Sequence, residues 1–279
     1  MLNDILDKSS ILPLEPIPTG LQPTGSITGH VKCLLFDVYG TLLISGTGDV
    51  GTAMQTIRDD GHFEQLLLEF NVTRPPDKVL DEFFAAIASQ HSRLKANGID
   101  YPEVKIDDIW MQVLGWRRRD KAQFFALAFE LLVNPVYPMP GMLELLEKVR
   151  KKCSLGIISN AQFYTPLLLE RFFKASLEKT GFIRDLLIFS YRTGYAKPSK
   201  HLFKLAEIHL EKHGITPSET LYVGNDMLND ILSAQKMGFK TALFAGDKRS
   251  LRLRQNNVRC KGIQPDLVIT ELSQLVDWL

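Results

Sequence analysis

The sequence has few of the features that mark secreted, membrane-bound or metal-cluster proteins. Its three cysteines, Cys33, Cys153 and Cys260, do not have the spacing of a metal site. No stretch is long and apolar enough to cross a bilayer. Asp4 and Asp7 lie where a secretory signal would need a long apolar segment. These absences predict a cytoplasmic protein without a membrane partner.

Neither sign of charge is in excess, since the chain has 33 Lys and Arg residues and 32 Asp and Glu residues. A formal net charge of +1 gives no field that attracts nucleic acid. Local basic runs at 117–119 and 248–254 are typical of a solvated face. With 45% hydrophobic residues, the 279-residue chain can bury a sizeable core. We expect a globular protein whose partner is a small molecule; its oligomeric state stays open.

A short apolar run that ends in one carboxylate stands out near the N-terminus. Residues 31–41 read Val-Lys-Cys-Leu-Leu-Phe-Asp-Val-Tyr-Gly-Thr. This pattern is typical of a buried parallel strand, and ligands of open α/β sheets bind where such strands end. Asp37 would then lie at the mouth of a site, and Gly40 would permit a sharp turn that directs backbone N–H groups toward an anion. A structural turn with Asp37 as its cap is the alternative.

Strand and helix patterns alternate along the rest of the chain. Apolar runs predict strands at 155–158, 186–189, 220–223, 241–244 and 267–269, and helices at 142–152, within 163–182 and at 200–213. Together with the first strand, this alternation predicts an α/β fold with a doubly wound parallel sheet.

A block of helical periodicity separates the first two strands. Its predicted helices are 53–70, 78–96, 106–114 and 121–133. The block is far longer than a strand-to-strand crossover needs, so we expect an inserted domain. The predicted units are an extended, proline-rich arm at 1–28, a core formed by 29–45 and 136–279, and an all-α insertion at 46–135. Residues 42–51, rich in glycine and serine, suit a mobile flap beside the site.

Polar side chains follow three of the later strands. Ser159 and Asn160 end the second strand, and Lys197 lies in the loop after the third. Asp226 and Asp230 follow the fourth, four residues apart, so that both can face one point from a helical turn. Each feature also has a purely structural explanation. Ser159 and Asn160 can cap the next helix, Lys197 can lie in a solvated loop, and the acidic pair is favoured by the dipole at a helix N-terminus.

Taken together, these strand ends resemble the haloacid dehalogenase-like hydrolase superfamily. The resemblance covers about residues 31–45 and 138–270, and the helical insertion is similar to that superfamily's cap domain. It implies that Asp37 is the nucleophile, which forms an aspartyl intermediate. It further implies that Thr41, Ser159 and Asn160 bind substrate, and that Lys197 both binds substrate and balances the charge on the nucleophile.

The same resemblance implies a magnesium cofactor. Asp37, Asp226, Asp230 and the backbone carbonyl of Tyr39 correspond to its ligands, and such hard oxygen donors suit magnesium. The metal is needed because an anionic aspartate must approach an anionic phosphoryl group.

Tyr39 departs from the pattern of the superfamily's phosphatases, which usually have an acid-base aspartate at this position. A tyrosine with a pKa near 10 can donate a proton but is a poor base. The Asp-x-Tyr-Gly-Thr form is similar to L-2-haloacid dehalogenases, which need no metal and use a cap arginine, for which Arg58 and Arg74 are candidates. Asp226 and Asp230, however, would repel a carboxylate substrate without a cation.

We therefore expect a magnesium-dependent phosphatase of small phosphorylated metabolites. A dehalogenase and a binding or regulatory protein with little turnover are the alternatives. The residues of the insertion do not identify the substrate.

Overall fold

The structure is a computed structural model that describes residue 2 and residues 11–47 and 61–279. Its strands are β1 (Thr24–Gly25), β2 (Cys33–Phe36), β3 (Leu43–Ser45), β4 (Val136–Pro138), β5 (Ser154–Ser159), β6 (Phe182–Phe189), β7 (Thr220–Gly224), β8 (Lys240–Phe244) and β9 (Leu267–Ile269). Its α-helices are α1 (His62–Glu69), α2 (Pro76–Ala96), α3 (Ile106–Leu114), α4 (Arg119–Val133), α5 (Met142–Val149), α6 (Tyr164–Phe173), α7 (Ser190–Thr193), α8 (Lys200–Lys212) and α9 (Leu232–Gln235). A π-helical turn covers Met227–Ile231, and 3-10 turns cover Pro217–Glu219, Val258–Cys260 and Leu272–Trp278.

Several of the sequence predictions, including part of the N-terminal arm, fall partly or wholly outside the described residues. Residues 53–60 of the first predicted helix and Arg58 lie there, as do residues 48–51 of the predicted flap. The described part of that flap is not loop throughout, because Leu43–Ser45 form β3.

A seven-stranded sheet has the order β1-β9-β8-β7-β2-β5-β6. Its strands pair in parallel except β1, which pairs antiparallel with β9. Because β2 has β5 on one side and β7 on the other, the chain winds outward from β2 in both directions. The predicted doubly wound parallel α/β fold is confirmed. Ligands of such sheets bind at the carboxyl ends of the strands where the order reverses, which are β2 and β7 here.

Helices cover both faces of this sheet, which explains why its strands are continuous apolar runs. Leu34 and Phe36 of β2 pack in a cluster with residues of α5 and α6, whereas Cys33 and Leu35 pack in a cluster with residues of α8. All four side chains are fully buried. A register slip of one residue would exchange the two faces, so burial on both sides fixes how β2 pairs with its neighbours.

The edge strand β6 begins earlier than the sequence predicts. It starts at Phe182, whereas the apolar run predicts a strand only from residue 186. Arg184 and Asp185 interrupt the apolar pattern, and both are exposed. Charged residues are tolerated there because β6 is the last strand of the sheet, where they also discourage pairing with another chain.

The described part of the predicted N-terminal arm lies on the core domain. The Thr19 hydroxyl donates to the Ala245 carbonyl at 2.8 Å, and the Ile17 N–H donates to Asp247 Oδ1 at 3.3 Å. Thr24 and Gly25 form β1, which extends the sheet by one antiparallel strand. A two-residue strand among prolines and glycines leaves no apolar pattern, so the sequence did not predict it.

Helices α1–α4, the cap helices, pack around an apolar core of their own. Trp110 is fully buried in it and stacks on Phe83, with ring centroids 4.1 Å apart. The antiparallel pair β3–β4 lies where the chain leaves the core and returns to it. This arrangement supports the division into a core and an insertion at 46–135, which we propose as the domain boundaries. Within the described residues, no helix combines the length and apolar character needed to cross a membrane.

Candidate active site

A buried lysine joins two carboxylates at the carboxyl ends of the central strands. Lys197 Nζ lies 2.7 Å from Asp37 Oδ1 and 2.6 Å from Asp230 Oδ1. Only 3% of the Lys197 side chain is exposed. Burial lowers the pKa of Lys197, but the negative charges of Asp230 and Asp37 outweigh it, so that its pKa is raised. Lys197 therefore stays a cation beside Asp37, as the charge-balancing role requires.

Asp230, the second carboxylate beside Lys197, is almost fully buried. Burial and the charges of Asp37 and Asp226 raise the pKa of Asp230, while Lys197 opposes the rise. Its Oδ2 accepts the backbone N–H of Asp226 at 2.9 Å. Gly224 makes this position possible, because a Cβ there would lie 2.4 Å from Asp230 Cγ.

Tyr222, which is not among the predicted site residues, also contacts Lys197. Its hydroxyl lies 3.1 Å from Lys197 Nζ and donates to the Ile158 carbonyl at 2.8 Å. Tyr222 is fully buried in β7. A tyrosine inside an otherwise apolar strand needs a partner for its hydroxyl, and that signal was present in the sequence.

Asn160 fixes the backbone of Lys197. Asn160 Oδ1 accepts the Lys197 N–H at 2.6 Å, and Asn160 Nδ2 donates to the Lys197 carbonyl at 3.3 Å. The side chain of Asn160 thus positions the lysine, and substrate binding by Asn160 stays a prediction. Ser159 is also brought to this edge and is fully buried, with its hydroxyl 3.4 Å from the Asn160 carbonyl oxygen.

The loop after β2 contacts the loop after β7. The Thr41 hydroxyl donates to Asn225 Oδ1 at 3.2 Å and is fully buried, so substrate binding by Thr41 stays a prediction. Gly40 has a φ of 81°, and a Cβ there would lie 2.4 Å from the Cβ of Ser250. The turn after Asp37 therefore requires glycine on both conformational and steric grounds.

Arg254 binds Asp226 through both carboxylate oxygens. Arg254 Nε lies 3.1 Å from Oδ1, and Arg254 Nη2 lies 2.6 Å from Oδ2. Asp226 also caps the π-helical turn, because its Oδ1 accepts the Leu228 N–H at 2.8 Å. Within the basic run 248–254, Arg254 is exposed, as expected of a solvated face, but it also pairs with buried Asp226, and the partly buried Arg249 pairs with buried Asp247. A basic run alone does not show which of its members will meet a buried carboxylate.

A cavity of about 530 Å³ lies between the cap helices and the sheet. Tyr39 and Asn160 line it, which connects it to the carboxyl ends of β2 and β5. Its other polar lining residues are Ser45, Thr47, His91, Glu103, Glu130, Asn134, Gln162 and Tyr164. Its apolar lining residues are Phe83, Phe84, Ile87, Val104, Ile106, Ala126, Phe129, Val133 and Ala161. No sequence motif marks these residues, because they come from separate segments that only folding brings together.

Residues 31–238 match the family model of the haloacid dehalogenase-like hydrolases. The chain belongs to this family. The resemblance to haloacid dehalogenase-like hydrolases, predicted from the four strand ends, is therefore confirmed. As a member of this family, the protein is a hydrolase. The structural comparison agrees: a 2-haloacid dehalogenase from Pseudomonas syringae aligns over 88% of this chain and 97% of its own, with 19% identity and a TM-score of 0.54. Likeness at that identity shows the shared fold alone.

Two curated relatives of this haloacid dehalogenase-like hydrolase match part of the chain. It is 33% identical over 114 residues to the Rhythmically expressed gene 2 protein of Drosophila melanogaster, and 32% identical over 141 residues to the pyrimidine 5'-nucleotidase YjjG of Escherichia coli. The matches cover 38% and 50% of this chain and 40% and 55% of those proteins. The chain thus spans about half the length of these curated relatives.

The oxygen ligands that the family resemblance implies for magnesium fit a hard cation in their chemistry. The structure, however, pairs the Asp226 oxygens with Arg254 and directs Asp230 Oδ1 toward Lys197. In residues 11–47 and 61–279, no three His, Cys, Asp or Glu side chains converge in a way that would hold a metal ion. Magnesium at Asp226 would therefore require the guanidinium to leave these oxygens.

Tyr39, at the position where the resemblance implies an acid-base aspartate, forms a hydrogen bond with Thr165 through its hydroxyl. The hydroxyl lies 2.8 Å from Thr165 Oγ1. Burial and the charge of Glu130 raise the pKa of Tyr39 well above its usual value of 10. The phenol thus stays protonated and does not act as a base.

Arg74 does not fit the role of the cap arginine that the dehalogenase alternative needs. Arg74 Nη1 donates to the Val113 carbonyl at 2.7 Å, and Arg74 forms an ion pair with Glu82. These contacts hold α2 against α3, and Arg74 does not line the cavity.

Proposed function

We propose that this hydrolase is a phosphatase of small phosphorylated metabolites and that Asp37 becomes transiently phosphorylated. The observation that carries the proposal is Lys197, a buried cation 2.7 Å from Asp37 Oδ1 at the carboxyl edge of the sheet. This lysine reduces the repulsion between an anionic nucleophile and an anionic phosphoryl group.

The reaction has two steps. In the first, Asp37 Oδ2 attacks phosphorus, because Oδ1 is held by Lys197, and the bond from phosphorus to the leaving oxygen breaks. In the second, water attacks the aspartyl phosphate, inorganic phosphate leaves, and the Asp37 carboxylate is restored. Backbone N–H groups after β2 and β5, together with Thr41, Ser159 and Asn160, bind the phosphoryl oxygens in our proposal.

Magnesium is part of the proposal. Asp37, the Tyr39 carbonyl, Asp226 and Asp230 would hold it, and when bound it screens the charge of the phosphoryl oxygens. The protein's own cation at this point is Lys197.

Tyr39 affects which phosphate esters react. An alkoxide leaving group needs a proton, and the Tyr39 hydroxyl is bonded to Thr165 and carries no negative charge that could later activate water. We expect aryl and acyl phosphates, whose leaving groups need no proton, to react fastest.

A dehalogenase is the second candidate, and Tyr39 is the observation that favours it. Its carboxylate substrate would, however, enter a cavity lined by Glu103 and Glu130 without a lysine or arginine from the described residues. A binding or regulatory protein with little turnover is the third, and the Arg254–Asp226 pair favours it by occupying an expected metal ligand.

Hydrolysis of an aryl phosphate with and without magnesium tests the proposal, with chloride release from 2-chloropropionate measured in parallel. We expect phosphate release that depends on magnesium and is abolished in Asp37→Asn. Chloride release without metal would instead identify a dehalogenase. Phosphate release that persists in Asp37→Asn would exclude the aspartyl intermediate.

A further inference from the structure

Two glutamates from different segments line the cavity between the cap helices and the sheet. Glu130 of α4 accepts hydrogen bonds from Asn134 Nδ2 at 3.0 Å and from the Tyr164 hydroxyl at 2.8 Å. Glu103, before α3, accepts the Ser190 hydroxyl at 2.7 Å and Gln162 Nε2 at 3.2 Å. These neutral donors orient each carboxyl group but supply no positive charge.

The electrostatic character of the cavity follows from this pair. No lysine or arginine of the described residues lines it. Burial raises the pKa of both Glu103 and Glu130, as expected for carboxyl groups without a nearby cation. Among the described residues, an anionic ligand group would therefore meet two carboxyl groups and no lysine or arginine, at a cost in binding free energy.

His91 offers one more polar atom. Its Nε2 is buried and has no hydrogen-bond partner among the described residues, and His91 lines the same cavity. Burial lowers the pKa of His91, with a contribution from Lys95, so the ring is neutral at ordinary pH. A buried polar atom without a partner loses hydration, and a ligand that hydrogen-bonds to it restores the bond.

The rest of the wall is apolar and aromatic. Phe83, Phe84 and Phe129 line the side formed by α2 and α4. A volume of about 530 Å³ is in the range of sites for organic ligands and exceeds what a phosphoryl group fills. The cavity can therefore hold an organic moiety whose polar groups meet Glu103, Glu130 and His91.

We propose that this cavity binds the leaving-group portion of the substrate and selects an uncharged or cationic organic group over an anionic one. Glu103 and Glu130 are its specificity-determining residues. This selectivity depends on the proposed phosphatase function only in that the phosphoryl group at the other end of the substrate is the one that reacts. It identifies the substrate class as phosphate monoesters whose organic portion carries no carboxylate or second phosphate.

Three esters that differ only at the far end of the chain test this selectivity: hexyl, aminohexyl and carboxypentyl phosphate. We expect kcat/KM for the hexyl and aminohexyl esters to exceed that for the carboxypentyl ester by about tenfold or more, since like charges repel strongly in a partly buried site. In the double variant Glu103→Gln, Glu130→Gln, kcat/KM for the carboxypentyl ester should rise to near that for the other two esters. The variant Glu69→Gln, which removes an exposed charge from α1, should keep the wild-type selectivity.

Calorimetric binding of the same esters to Asp37→Asn separates this proposal from the proposed chemistry. Selective binding without hydrolysis by the wild-type protein would overturn the phosphatase and support the selectivity. Equal binding of the three esters would overturn the selectivity even if hydrolysis is found. Selectivity that survives unchanged in the double variant would likewise overturn the role of Glu103 and Glu130.

Discussion

Arg254 and Asp226 form a two-pronged ion pair at the carboxyl end of β7. Arg254 Nη2 lies 2.6 Å from Asp226 Oδ2, and the Arg254 backbone has a φ of 52°, in the left-handed region. Such forked pairs are among the stronger charge-assisted hydrogen bonds. The pair neutralises the carboxylate that is expected to bind magnesium, so the guanidinium and the metal compete for the same oxygens.

The variant Arg254→Gln should therefore bind magnesium about tenfold more tightly than the wild-type protein does. A tenfold change corresponds to roughly 1.4 kcal/mol, which is the size expected for the loss of one competing charge-assisted hydrogen bond. Calorimetric titration of the metal-free protein measures this without reference to activity. Lys261→Gln removes an exposed positive charge from the same region and is the control. Equal or weaker magnesium binding in Arg254→Gln would show that the pair does not compete with the metal.

Lys197→Met should abolish hydrolysis and destabilise the fold, since it leaves Asp37 and Asp230 buried without their cation. Breaking a buried pair typically costs about 3–5 kcal/mol. Without the lysine, which opposes the effect of burial, the folded-state pKa of Asp230 should rise further above its value in the unfolded chain. Below the pKa of the unfolded chain the carboxyl group is protonated in both states, so the variant regains stability. This stability is lost as pH rises through the pKa of the folded variant.

Urea unfolding measures this effect. The deficit of Lys197→Met against wild type should be smaller at pH 5 than at pH 7, whereas Lys78→Met, an exposed change in α2, should show no such trend. A deficit that is the same at both pH values would contradict this account of the Lys197 environment.

The free energy of unfolding should fall as Glu103 and Glu130 ionise with rising pH. Burial raises their pKa values in the folded state, so ionisation is less favourable there than in the unfolded chain. Below the unfolded-state pKa, about 4.3 for glutamate, both are protonated and cost nothing. The free energy of unfolding of wild type, relative to that of Glu103→Gln, Glu130→Gln, should fall as pH rises through the raised pKa values. Urea titrations between pH 4 and pH 8 check the sign, and a rising difference would be inconsistent with the desolvation argument.

Gly224→Ala should displace Asp230 and inactivate the enzyme. The new Cβ would lie 2.4 Å from Asp230 Cγ, so the carboxylate must move away from Lys197. Overpacking of this kind costs about 1–3 kcal/mol. Thermal unfolding and aryl phosphate hydrolysis measure the two effects, and normal activity of Gly224→Ala would show that the position of Asp230 is not critical.

Tyr39→Asp should speed hydrolysis of alkyl phosphates relative to aryl phosphates, because it supplies a side chain that can protonate the leaving alcohol. General acid-base catalysis contributes about 10²- to 10⁴-fold, so a tenfold or greater rise in the ratio is expected. Tyr39→Phe provides the comparison, as it removes the bond to Thr165 without adding an acid. Similar ratios in the two variants would rule out the missing acid as the cause of slow alkyl ester hydrolysis.

The sequence predicted the sheet and the residues at its carboxyl edge because both are encoded locally. An apolar run specifies each buried strand, and the polar residue that follows it, such as Asp37 or Asp226, must lie at that strand's end. Parallel pairing then brings these ends to one edge, where Lys197 joins Asp37 and Asp230. The two-residue β1 and the charged start of β6 carried no such pattern, and the sequence analysis missed both.

The fold class, the family and the residues at the strand ends follow from the sequence, because each depends on short patterns and their order. The folded structure was needed to show that Arg254 binds Asp226, that Asn160 fixes Lys197, and that Glu103, Glu130 and His91 share a cavity. Each of these contacts joins segments far apart in the chain. Pairings of this kind depend on how helices pack on the sheet, which no local pattern specifies.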